Sequence, residues 1–153
     1  MKTNEQTAEV LNDLIQINND RIEGYEKASR ETAPADADLR ALFDNMAAES
    51  RDYVNQLTKQ VSISGNEPAD GTTVKGKIYR AWMDVKATFT GKDRKAILAS
   101  CEYGEDAAQK AYDQALATDA ELPTELRQLI TDQKASLRKS HDKIKAMRDA
   151  QPA

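Results

Sequence analysis

A chain of 153 residues, 39% hydrophobic and 31% charged, is a single domain long enough to bury a core of its own. A formal net charge of −4 with no dense run of Lys and Arg leaves no surface for tracking phosphates, so nucleic acid is not an expected partner. One cysteine, Cys101, excludes an internal disulfide framework, and no stretch of about 18 apolar residues is present to cross a membrane; with no apolar core near Met1 to mark a signal peptide, the expected location is the cytoplasm.

The composition, poor in Gly and Pro and rich in Ala, Leu, Glu, Lys and Gln, favours helix throughout. The first helix is expected over residues 4–32, opened by Thr3 and Gln6 at capping-box spacing. Leu11, Leu14, Ile15, Ile22 and Tyr25 recur on one face at about 100° per residue. Pro34 ends this helix, and Asp36 is placed to cap the second, expected over 36–64. Leu39, Leu42, Phe43, Met46, Tyr53, Val54, Leu57 and Val61 form its stripe, and Gly65 suits a left-handed C-cap. A polar stretch leads to a shorter amphipathic helix over 74–89, where Ile78, Trp82, Val85 and Phe89 share a side, Trp82 reads as a packing anchor and Gly76 weakens the start. The third long helix, over 92–118, follows a capping pair at Thr90 and Asp93, with Ile97, Leu98, Cys101, Glu105, Ala108, Tyr112, Ala115 and Leu116 inward. The fourth, over 123–149, turns Leu126, Ile130, Leu137, Ile144 and Met147 inward. Its basic residues Lys134, Arg138, Lys139, Lys143, Lys145 and Arg148 alternate with acids and read as a solvated face.

Connection lengths set the topology. Short turns join helices one and two, and three and four, as antiparallel hairpins. About 27 residues separate the hairpins, enough to run the length of a helix of about 44 Å. That layout is an all-α, ferritin-like four-helix bundle with one long crossover, occupying residues 1–153 as one domain.

Several stretches resemble an uncharacterised bacterial ferritin-like four-helix-bundle family: Leu11-Asn12-Asp13-Leu14-Ile15, Asp20-Arg21-Ile22-Glu23-Gly24-Tyr25, Gly76-Lys77-Ile78-Tyr79-Arg80-Ala81-Trp82, Cys101-Glu102-Tyr103-Gly104-Glu105 and Ser140-His141-Asp142. The resemblance implies the fold and carries no reaction with it.

Bundles of this kind can hold two metal ions with a Glu from each of two helices and a Glu-x-x-His from each of the other two. Counting from the turns brings Asn18, Ser50, Glu105 and Gln133 to one level, with Tyr25 following Asn18 at Glu-x6-Tyr spacing. Only Glu105 is a carboxylate. His141, the sole histidine, has Arg138 three residues before it, and a count from the turn sets it about 9 Å from Glu105 in height, too far for both to ligate one ion. Glu23, Glu49 and Glu102 project away from the inward centre. The expectation is therefore no metal or cofactor, a buried Glu105 satisfied by Asn18, Gln133 or a tyrosine and raised in pKa by desolvation, and a core His141 bonded to Tyr25. Cys101 reads as a small buried side chain, and Asp20 is expected to pair with Arg51 on the outer surface. No Gly-rich phosphate loop, Cys-x-x-Cys pair or Ser/His/Asp order supports an enzyme.

The function expected is that of a metal-free binding or structural module, linked to stress responses only by family-level analogy. The alternative is an oxidase or iron-handling protein that uses iron or manganese around Glu105. No protein partner is specified beyond a homodimer along the first hairpin.

Overall fold

The computed structural model describes residues 2–32, 36–63, 65, 94–118 and 122–151. They form α1 (Lys2–Glu31), α2 (Ala37–Ile63), α3 (Arg94–Leu116) and α4 (Thr124–Asp149), with no strand among the described residues. These bounds fall within a few residues of those the periodicity predicts. The expected crossover helix over 74–89, with Trp82, and the capping pair at Thr90 and Asp93 lie outside the described residues.

Helix ends follow local chemistry. At the end of α1 the Thr32 hydroxyl donates to the Ala28 carbonyl at 2.6 Å. Past α2, Gly65 adopts φ 83° and its N–H returns to the Ser62 carbonyl at 3.0 Å, the left-handed stop that glycine reaches without a Cβ clash. Pro123 precedes α4 and accepts the Arg127 N–H at 2.9 Å.

Cross-helix pairs give the directions. Asn18 of α1 meets Tyr112 of α3, whereas Arg21, further along α1, meets Glu105, earlier on α3. α1 and α3 are thus antiparallel. Arg21 with Met46, and Asn18 with Ser50, set α1 antiparallel to α2 in the same way. It follows that α2 and α3 run in the same direction, and Ile63 and Arg94 lie at opposite ends of the bundle. Arg94 confirms this by binding Asp38 (2.6 and 3.1 Å) and Asp36 (3.0 Å) at the start of α2. Two antiparallel hairpins in this relation are the ferritin-like arrangement.

The core is continuous through all four helices. Leu11, Leu14 and Ile15 of α1 pack with Leu39, Phe43 and Leu57 of α2, Leu98 and Cys101 of α3, and Ile130, Leu137 and Ile144 of α4. Each large aliphatic side chain buried this fully contributes roughly 1.5–3 kcal/mol. Val54, Leu116 and Met147 of the predicted stripes are partly buried and pack against the core, whereas α1 departs from its stripe. Ile22 is only partly buried, and the neighbouring Arg21 is fully buried instead. The series 11, 14, 18, 21, 25, 28 keeps the three- and four-residue steps of a helix face, so α1's geometry delivers residue 21 to the interior whatever its polarity.

Candidate functional site

The predicted polar layer forms. Asn18, Tyr25, Ser50, Glu105 and Gln133 are all buried, and Gln133 and Asn18 are each 1% exposed. What organises them is Arg21, from a fully buried position on α1. Its Nε and Nη2 grip the Glu105 carboxylate at 2.6 and 3.3 Å, the fork-on-carboxylate geometry that suits a guanidinium. Nη1 donates to the Met46 carbonyl at 3.1 Å and to Ser50 Oγ at 2.7 Å. Nη2 also reaches Glu49 at 3.1 Å. All five N–H groups of the guanidinium thus have acceptors. The ring of Tyr25, stacked on Phe43, lies 5.1 Å from the guanidinium carbon as a cation–π contact.

From Arg21 a chain of hydrogen bonds crosses the bundle. Ser50 Oγ donates to Asn18 Oδ1 at 2.9 Å, and Asn18 Nδ2 donates to the Tyr112 hydroxyl at 2.8 Å. Tyr112 donates to Gln133 Oε1 at 2.7 Å, and Gln133 Nε2 to Gln56 Oε1 at 2.9 Å. Gln56 in turn donates to Asp52 at the surface, 3.2 Å away. Every link points the same way, from a cation to an anion, so successive dipoles polarise one another.

The electrostatics follow from burial. Desolvation pushes the Glu105 carboxyl above its ordinary range, as the sequence predicts, and the Arg21 charge opposes that rise. Burial alone would lower Arg21, but the charges of Glu105 and Glu49 and the hydrogen bond to Glu105 overcome it and hold the guanidinium firmly protonated. Burial raises the Cys101 thiol and the Tyr25 and Tyr112 phenols, and brings Tyr53 up to about 12.

Several expectations need correction. Glu105 is satisfied by Arg21, not by Asn18 or Gln133. Those two amides are instead bridged by the Tyr112 hydroxyl, which accepts from Asn18 and donates to Gln133. His141 does not bond to Tyr25: its Nε2 lies 2.6 Å from Asp106 and 3.9 Å from Glu102, and its Nδ1 lies 3.1 Å from Asp142. The ring turns toward the seam with α3, where residues 102 and 106 sit one position past the inward residues 101 and 105. Glu102 and Glu49 are less outward than expected, because both line seams between helices. The Glu102 side chain is 12% exposed and paired with Arg148, while Glu49 accepts from Ser136 and Ser140 of α4 at 3.3 and 3.1 Å. Arg51 pairs with Glu26 rather than with Asp20, which is itself buried.

Arg21, which organises the layer, is not singled out by the sequence pattern. Its signal was available: it lies three residues after Asn18 and four before Tyr25, on the same face. The side chain's charge argued for the surface, and Ile22 next door offered an apolar substitute.

The layer does not fit a pair of metal ions. It supplies Glu105 at its centre and the partly exposed Glu49 at its edge, both already paired with Arg21, with amides and a hydroxyl as the other donors. A guanidinium with all its donors engaged occupies the space between them, and its fixed charge would repel a second cation.

The topology and this central layer together define a ferritin-like four-helix bundle. Among solved structures, a mutant of Dps1 from Mycobacterium smegmatis is similar in fold, with a TM-score of 0.76 over 96% of this chain and 97% of that chain at 14% sequence identity. The chain belongs to the family described as domain of unknown function DUF2383, which matches residues 6–118 and so includes Arg21, Ser50, Glu105 and Tyr112. No curated protein matches it.

Proposed function

We propose that the protein is a ferritin-like bundle that works as a binding or structural module, with a built-in organic cation in the position where a metal-dependent relative would place its ions. The observation that carries this reading is Arg21, fully buried and bound to Glu105, Glu49, Ser50 and the Met46 carbonyl. The Glu105 charge is already neutralised by a guanidinium that contacts both of its oxygens, which argues against oxidase or iron-handling chemistry there. A reducing compartment such as the cytoplasm suits the free, buried Cys101. A place in a stress response rests on analogy of fold alone.

The test is elemental analysis of iron and manganese in the purified protein and in a Glu105→Gln variant. The expected result is the same iron and manganese content in both, because no ion depends on Glu105. Stoichiometric iron or manganese that disappears in Glu105→Gln would overturn the reading.

A further inference from the structure

We propose that Glu102 and Asp106 of α3 and His141 of α4 form a site for one divalent transition-metal ion of the zinc type, separate from the midplane. The two acids stand one helical turn apart on α3, and His141 faces them from α4. One ligand atom from each lies within 4.8 Å of the others. Three ligands about 2.0 Å from a tetrahedral ion sit about 3.3 Å from one another. Reaching that spacing asks Glu102 Oε1 to close from 3.9 Å and Asp106 Oδ1 to open from 2.6 Å relative to Nε2. Asp106, 53% exposed, has room to make its adjustment.

Three features beyond proximity favour a metal. His141 places Nδ1 beside Asp142 at 3.1 Å, and with an ion bound in place of the Nε2 proton an N–H donated there would hold the Nε2 lone pair toward the two carboxylates. A carboxylate behind the histidine is the outer-shell partner that orients imidazole ligands and raises their basicity. Glu102 is divided similarly: Oε2 is held by Arg148, and Oε1 faces His141. The charges also leave a place for a cation. Arg148 answers Glu102 and Arg138 answers Asp142, while Asp106 meets only the imidazole among the charged groups described. One imidazole and two carboxylates is a borderline donor set, suited to zinc, cobalt or iron(II) rather than to calcium or magnesium. Three protein ligands leave a fourth position, open to solvent beside Asp106, for water or an exogenous ligand.

The test uses metal-stripped full-length protein, titrated with Zn²⁺ by calorimetry and with Co²⁺ by visible absorption. The expected result is one equivalent of either ion, with the intense absorption of low-coordinate Co²⁺. Asp106→Asn, on an exposed side chain, should keep the wild-type melting curve and bind at least tenfold more weakly. His141→Gln should abolish the Co²⁺ spectrum, and Asp142→Asn should weaken binding about 10- to 100-fold through loss of the outer-shell carboxylate. Glu105→Gln should bind as wild type does. Dissociation constants weaker than about 1 mM, or equal binding by wild type and Asp106→Asn, would overturn the proposal. Binding lost only in Glu105→Gln would overturn it and also the metal-free reading of the midplane, whereas one zinc lost only in the Asp106 and His141 variants leaves that reading intact.

Discussion

Replacing Arg21 with methionine keeps much of the side chain's apolar bulk and removes the cation that both oxygens of Glu105 touch. Removing one member of a buried ion pair costs about 3–5 kcal/mol, a large part of the roughly 5–15 kcal/mol that holds a domain folded. The two possible single changes should differ in their pH dependence. Without Arg21, Glu105 can relieve its burial by taking up a proton, and desolvation already pushes its carboxyl upward in the native protein. In the variant the folded state then binds that proton more tightly than the unfolded state does. Stability is therefore fully present below the unfolded carboxyl pKa and falls by about 1.4 kcal/mol per pH unit as pH rises toward the folded value. The loss caused by Arg21→Met should be smallest near pH ~5 and largest near pH ~8. Glu105→Leu leaves a guanidinium that cannot shed its proton, so its cost should be nearly flat over the same range. The double variant Arg21→Met/Glu105→Leu removes both charges and should recover most of the loss, to within about 1–2 kcal/mol of wild type. Urea unfolding followed by circular dichroism, on four proteins at two pH values, measures all of this. Single losses that simply add in the double variant, or a pH-independent loss for Arg21→Met, would refute the reasoning.

Tyr112→Phe deletes the hydroxyl between Asn18 and Gln133; Asn18 Nδ2 keeps the Leu14 carbonyl at 2.9 Å, but Gln133 Oε1 loses its donor, so a loss of about 1–3 kcal/mol is expected in the same assay. Burial raises Cys101, Tyr25, Tyr53 and Tyr112 above their ordinary values. The folded protein thus holds these protons more tightly than the unfolded chain, and stability should fall as pH rises above about 9, where the unfolded thiol ionises first. A urea midpoint that stays constant from pH ~8 to ~11 would contradict this.

Much of the fold was legible because it rests on period and punctuation. The steps of three and four along α1, α2, α3 and α4, Pro34 and Gly65 as stops, and the long interval between Gly65 and Gly91 specify two hairpins and the way they must meet. The level of the polar layer was legible for the same reason, since rise per residue is constant. Partner choice within it was not. Whether Glu105 bonds to an amide or to Arg21 depends on which neighbour reaches inward, and a lone arginine on an apolar face is read as a surface residue until its acceptors are known. The surroundings of His141 were obscured in a similar way. Glu102 and Asp106 stand about 100° from the inward centre of α3, and a wheel drawn for one helix cannot say that His141 of α4 faces that flank.

A core built from leucine, isoleucine and alanine tolerates docking errors, because hydrophobic contact has little memory of which residue meets which. Sliding the second hairpin along the first by one helical turn, about 5.4 Å, would still oppose apolar side chains. It would also part Arg21 from Glu105, Asn18 from Tyr112 and Gln133 from Gln56 in a single movement, stranding a charge pair and two buried amides in a dry interior. The arginine and the bonds running from it therefore act as a ruler between the two hairpins. They give one alignment a wide energetic lead over its near neighbours, at a level of the bundle where the apolar residues alone would leave several nearly equivalent.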